Sequence, residues 1–170
     1  MNKERIGLVA SIIVVAALSR ILPHPVNVTP VAAIALFAGA YLPKNGLALA
    51  IPLAAMLLAD SIIGFHSTMP FVYAGMLITV GLGMLLRGRT RAPSIAGASI
   101  VSSVIFFILT NLGVWMVQDM YPHDASGLAA SYVAALPFFT NSIIGDLAFT
   151  ALLFGVFMFA EKRFTKLQAA

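Results

Sequence analysis

The stretch LALAIPLAAMLLADSIIGFH, residues 47–66, carries a single charged side chain, Asp60, in an otherwise apolar run. An α-helix rises about 1.5 Å per residue and the hydrocarbon core of a bilayer is about 30 Å thick, so about 20 such residues make one crossing. This run spans about 46–65, and comparable ones lie at about 6–22, 29–42, 69–86, 93–117 and 138–160. Over all 170 residues 61% are hydrophobic and 9% charged, against roughly a quarter charged in soluble domains. The sequence therefore predicts an all-α integral membrane protein of about six transmembrane helices, with residues 1–170 forming one transmembrane domain.

Between these runs the chain carries turn chemistry. LPHPVNVTP (22–30) holds three prolines, YLPKNG (41–46) has Pro43 and Gly46, and RGRTRAP (87–93) and YPHDASG (121–127) are polar with Gly or Pro. The run at 29–42 is short for a full crossing, which predicts a tilted or irregular segment, or one buried among its neighbours. From Gly127 to Ala160 the apolar stretch is too long for one crossing, and Pro137 removes a backbone donor in its middle. That combination predicts an interfacial or re-entrant helix to about Leu136, followed by a span. At the amino end, Lys3 and Arg5 precede an apolar core with a cleavage-like Ala17-Leu18-Ser19, the pattern of a signal peptide. The apolar run continues through Ile21 and Leu22, which favours a first span instead.

The formal charge of +4 raises nucleic acid as a partner. Nucleic-acid readers gather Lys and Arg on one polar face, whereas here the basic residues sit at the ends of apolar segments, so no nucleic-acid partner is expected and the lipid bilayer is. With six crossings, Lys3, Arg5, Lys44, Arg87, Arg89, Arg91, Lys162, Arg163 and Lys166 fall on one side and Arg20 alone on the other. The positive-inside rule then places both termini in the cytoplasm. No cysteine is present, which excludes disulfides, thiolate metal sites and a cysteine nucleophile.

In that orientation the polar residues of the spans gather in the outer half. Arg20 and His24 follow the first run, Asp60 and His66 end the third, and Asn111, Trp115 and Asp119 end the fifth. Asn141 and Asp146 come early in the last. A charge in lipid costs about 3 kcal/mol even on the lenient insertion scale, so such residues face a protein-lined cavity or a partner. Two aspartates against one outer arginine leave one carboxylate in need of a proton, a histidine, a substrate or an ion. Asn111 and Trp115 are four apart and share a helical face, whereas Asn141 and Asp146, five apart, diverge by about 140°. One of that pair is expected to be a packing hydrogen bond, and Asp146, with Ser142 and Phe139 nearby, to face the cavity. The candidate substrate-binding set is thus Asp60, Asn111, Trp115 and Asp146, with Arg20, His24 and Asn141 around them. The three histidines have no i, i+4 pair and no HExxH-like signature, and there is no GxSxG, so neither a metal, a cofactor nor an enzyme activity is expected.

The blocks LPHPVNVTPVAAIALFAGAYL, LLADSIIGFH, TNLGVW, YPHDASGL and ALPFFTNSIIGDLAF together resemble a family of small bacterial membrane proteins of unknown function regarded as transport proteins. In size and six-helix layout that family in turn resembles the substrate-binding S-components of energy-coupling-factor (ECF) transporters. The resemblance implies a multi-pass protein of the bacterial cytoplasmic membrane that captures a small water-soluble vitamin or cofactor precursor from outside. It operates either with an ECF coupling subunit and ATPases or alone. The chain begins Met1-Asn2-Lys3 rather than Met-His, unlike the cobalt and nickel S-components. Its first run lacks the Ala-x-x-x-Ala that many S-components present to the coupling subunit: Val14 follows Ala10 and Arg20 follows Ala16 at that spacing. An ion- or proton-coupled carrier or channel using Asp60 and Asp146, and a membrane accessory protein, are the competing readings.

Overall fold

The computed structural model describes residues 3–164. Within them are six α-helices: α1 (Lys3–Leu18), α2 (Val31–Tyr41), α3 (Asn45–Ile63), α4 (Met69–Leu85), α5 (Ala92–Val117) and α6 (Ala125–Arg163). A 3-10 turn, Ser19–Ile21, continues α1. Among the described residues three helices, α3, α5 and α6, are long and apolar enough to cross a membrane, while α2 and α4 are shorter apolar helices.

The architecture is a closed ring around a central helix. α1 packs on α3, α3 on α4, α4 on α5, α5 on α6 and α6 on α1, and α2 touches all five. All 11 residues of α2 are buried. Its sequence, VAAIALFAGAY, explains the position: five alanines and a glycine leave little side chain between its backbone and its neighbours, the arrangement that favours close helix packing in membranes. The closest approach is to α4. A Cβ on Gly39 would fall on the Val80 carbonyl oxygen and 2.8 Å from the Met84 nitrogen. One on Gly83 would fall on the Leu36 carbonyl and 3.0 Å from the Gly39 Cα. Towards α6 the contact is aromatic: Phe37 meets Phe154 and Phe157 edge to face at 5.4 and 5.7 Å, and Tyr41 lies 4.3 Å from Phe157. Such pairs contribute about 0.5–1.5 kcal/mol each beyond their area.

The carbonyl end of α2 is closed by Arg87, just beyond α4. Its Nε donates to the Gly39 carbonyl at 3.0 Å, its Nη2 to the Leu42 carbonyl at 2.9 Å, and its Nη1 to Asn45 Oδ1 at 2.8 Å. A cation there meets both the unpaired carbonyls and the negative end of the helix dipole. Nearby helix ends are held by the Arg5–Glu161 ion pair at 2.7 Å, with the Arg5 guanidinium 5.4 Å from the Phe157 ring. Arg20 pairs with Asp60 where α1 and α3 finish, so the beginnings of those helices share the opposite end with Arg87. Of the nine described Lys and Arg residues, eight therefore belong to one end of the bundle and Arg20 to the other. Lys166, grouped with the eight in the sequence, lies outside the described residues.

The interfacial helix expected to end near Leu136 is not separate. Residues 125–163 form one helix that runs through Pro137. Proline removes one donor, but away from water the remaining backbone groups have no partners except those a continuous helix supplies. The helix is opened by Asp124, whose Oδ1 accepts from the Gly127 amide at 2.8 Å and from Ser126 Oγ at 2.7 Å. Pro52 is likewise accommodated inside α3.

The α2–α4 contact generates a clear expectation. Gly39→Ala and Gly83→Ala should each lower stability by about 1–3 kcal/mol, the usual range for overpacking. Gly81→Ala, where an added Cβ meets nothing within 4 Å, should be neutral or slightly stabilising. Thermal denaturation in detergent, followed by the monodisperse fraction, separates the two cases. Equal behaviour of all three variants would contradict the close backbone approach.

Candidate functional site

At the end of the bundle away from the eight basic residues lies a cavity of about 570 Å³, open on one side. It is bordered by the ends of α1 and α3, the starts of α2 and α4, and long faces of α5 and α6. The last two faces follow helical spacing: Ser103, Phe107, Thr110, Asn111 and Val114 from α5, and Ser131, Ala135, Phe138, Ser142 and Asp146 from α6. Asn27 and Thr29 of the 22–30 connection and Tyr121 of the α5–α6 connection also reach it. Asn27 adopts φ 61°, a left-handed conformation that asparagine tolerates better than most residues.

Four residues singled out by the sequence meet here: Arg20, Asp60, Asn111 and Asp146 all line the cavity. Asp60 is 2% exposed and both its oxygens are occupied. Arg20 Nη1 donates to Oδ1 at 2.6 Å, and Tyr73 of α4 donates its hydroxyl to Oδ2 at 2.6 Å. The same Arg20 nitrogen lies 3.6 Å from Met56 Sδ. This answers why an apolar helix carries Asp60: the carboxylate ties the ends of α1, α3 and α4 together. Asp146, 7% exposed, is held differently. Its one polar contact among the described residues is Ser103 Oγ, which donates to Oδ2 at 2.7 Å. Among the described residues Arg20 is the only Lys or Arg bordering the cavity, and it is engaged by Asp60. Asp146 is thus the carboxylate without a cationic partner, the imbalance expected from the charge count.

The other three candidates lie apart from the cavity. Trp115 Nε1 donates to the Pro122 carbonyl at 2.9 Å and its ring stands edge-on to His123 at 5.9 Å, so it fastens the α5–α6 connection. His24 Nδ1 lies 3.1 Å from the Pro25 carbonyl on the exposed 22–30 connection. Asn141 Nδ2 donates to the Val26 carbonyl at 3.3 Å and joins that connection to α6. Beside it the chain passes close over α6, where a Cβ on Gly145 would lie 3.1 Å from Val28. Phe139 packs on Phe107 at 4.5 Å rather than on Asp146.

Tyr73 and Ser103 were not foreseen. The signal for Ser103 is readable afterwards: Ser99, Ser102 and Ser103 are the polar residues in the middle of an apolar helix and recur at helical spacing. All three are buried, and Ser99 Oγ lies 3.1 Å from Thr150 Oγ1, so the hydroxyls continue from Asp146 towards the basic end. Tyr73 has no such signal, because one tyrosine in a span reads as a membrane-interface aromatic.

Removing one member of a buried ion pair strands the other, at about 3–5 kcal/mol, whereas removing both is far milder. Arg20→Met should therefore destabilise strongly, and Arg20→Met with Asp60→Asn should recover most of the loss. Thermal midpoints of the single and double variants in detergent give the coupling directly. Additive losses would show that the two side chains do not depend on each other.

Comparison with curated proteins and with solved structures finds no match. A family model described as Family of unknown function (DUF6580) matches residues 1–167, nearly the whole chain. This chain, a helical bundle with three helices long and apolar enough to cross a membrane, belongs to that family, DUF6580.

Proposed function

We propose that this chain is a membrane-embedded binding protein that takes up a small water-soluble molecule, of the vitamin or cofactor-precursor class, from outside the bacterial cytoplasmic membrane. In this reading it works in the manner of an ECF S-component, with its termini in the cytoplasm. The observation that carries the reading is the cavity: about 570 Å³, within the range of sites that enclose small organic ligands, with four separated polar residues converging on it. The eight basic residues at the other end are what the positive-inside rule expects of a cytoplasmic face. A second reading, a proton- or ion-coupled carrier, draws on the buried hydroxyls on the basic side of Asp146: Ser103 Oγ, with Asp146 and the Ser99 carbonyl in reach, and Ser99 Oγ beside Thr150 Oγ1.

Sidedness is tested with single cysteines, since none is native. A cysteine at Ala125 should react with an impermeant maleimide on whole cells, and one at Thr90 should not. Labelling at Thr90 from outside would invert the orientation and remove the uptake reading.

Binding is tested by purifying the protein from cells and identifying the small molecule that accompanies it by mass spectrometry. Asp146→Asn should lose that molecule, at a cost of about 2–5 kcal/mol in binding for a buried charged hydrogen bond, while Phe159→Ala on the exposed inner half of α6 should retain it. Normal retention by Asp146→Asn would remove Asp146 from the binding contacts, and purification without any accompanying molecule would overturn the binding-protein reading. Uptake that collapses with a protonophore in cells lacking any coupling subunit would favour the carrier.

A further inference from the structure

The polar groups of the cavity are not evenly divided between donors and acceptors. Along the α5–α6 wall the hydroxyl hydrogens are already directed elsewhere. Thr110 Oγ1 donates to the Phe106 carbonyl at 2.7 Å, Ser131 Oγ to the Leu128 carbonyl at 2.8 Å, and Ser142 Oγ to the Phe138 carbonyl at 3.3 Å. Ser103 Oγ has one hydrogen and two acceptors in reach, Asp146 Oδ2 at 2.7 Å and the Ser99 carbonyl at 3.1 Å. Asn111 Nδ2 donates to the Phe107 carbonyl at 2.8 Å, which fixes its amide orientation and turns Oδ1 away as an acceptor with one N–H remaining. A hydroxyl whose hydrogen is engaged offers only lone pairs, and a carboxylate offers nothing else. This wall therefore presents hydrogen-bond acceptors, with a single amide hydrogen as the exception.

Charge points the same way. Arg20 and Asp60 compensate each other, so Asp146 is the uncompensated charge at the cavity. The rings of Phe106, Phe107 and Phe138 border the same space, and aromatic faces attract cations. The donors of the lining belong to other elements: the Arg20 guanidinium, the Asn27 amide, the Thr29 and Tyr121 hydroxyls, the His66 ring, and the amide groups that open α2, where Pro30 supplies no side-chain cap. A proton on Asp146 would cancel the charge but leave the neighbouring oxygens without hydrogens. A bare inorganic ion would fill a small part of about 570 Å³.

We propose that the ligand offers an N–H-rich organic cation, a primary ammonium, amidinium or guanidinium group, to the α5–α6 wall, with its charge on Asp146 and its N–H groups on the carboxylate and on the oxygens of Ser103 and Ser142 beside it, while Thr110, Asn111 and Ser131, two or more helical turns away, face the rest of the ligand. This rests on the binding-protein reading above and names the chemistry of what is bound.

The test uses the full-length protein in neutral detergent at pH 8 and three probes of similar shape, titrated calorimetrically. Benzylamine carries charge and N–H groups, benzyltrimethylammonium carries charge without N–H, and benzyl alcohol carries neither charge nor N–H. Benzylamine should bind tightest and benzyl alcohol weakest. Asp146→Asn should weaken benzylamine at least about tenfold and leave benzyl alcohol unchanged. Ser142→Ala, which removes an acceptor one helical turn from Asp146 without touching the charge, should weaken benzylamine and spare benzyltrimethylammonium. The thermal midpoint of each ligand-free variant reports that it is folded. Benzyl alcohol binding as tightly as benzylamine, or benzylamine indifferent to Asp146→Asn, overturns the cation assignment while the cavity remains a binding site. No binding by any probe overturns it as well, and the molecule recovered from cells then decides separately whether the binding-protein reading survives.

Discussion

The backbone contact between α2 and α4 at Gly39 and Gly83 governs the rest of this structure. An 11-residue helix rises about 16 Å, roughly half the hydrocarbon thickness, so it cannot reach water at both ends. It is tolerated only where protein encloses it and supplies partners for its ends. The five-helix ring provides the enclosure, and Arg87 provides the partner at the carbonyl end. The amino end is different: no side chain caps it, and Thr29, Val31 and Ala32 border the cavity. The cavity is thus a product of geometry, since longer helices standing around a half-length one leave unfilled space above it.

Two aspartates, alike in sequence context, end up with unlike surroundings. Asp60 is saturated by Arg20 and Tyr73 and holds three elements in register. Buried ion pairs contribute little net stability, and their better-attested effect is to fix a unique arrangement. Here that arrangement is the mouth of the cavity. Among the described residues Asp146 has a serine and no cation beside it, which is an expensive state for a carboxylate in a membrane interior unless something positive joins it.

Much of this was legible in the residue order. Helix positions follow from apolar run length, and the one-sided distribution of basic residues agrees with the ends at which Arg5, Arg87 and Glu161 meet their partners. Counting charges was enough to foresee that one carboxylate would lack an arginine, because ionised groups in apolar spans are few. Hydropathy did not separate a half-length buried helix from a tilted crossing, since both read as a short apolar run. Pro137 signals a break through the one bond it removes, while the many bonds a membrane compels the helix to keep leave no local signal in the sequence. Spacing alone places Trp115 on the Asn111 face. Its indole reaches forward to the Pro122 carbonyl instead, a partner set by the path of the connection rather than by helical period.

The unequal helices also shape the lipid around them. α4, at 17 residues, rises about 25 Å, whereas α5, at 26 residues, rises about 39 Å and α6 more still. A bilayer of uniform thickness cannot match both sides of such a molecule. Either the longer pair leans, or the acyl chains beside α4 shorten, each at a fraction of a kcal/mol per Å. The protein is therefore asymmetric about its own perimeter, thin-walled on one flank and tall on the other. That shape sets which flank sits comfortably in a thin membrane and which side a neighbouring protein of ordinary height would meet.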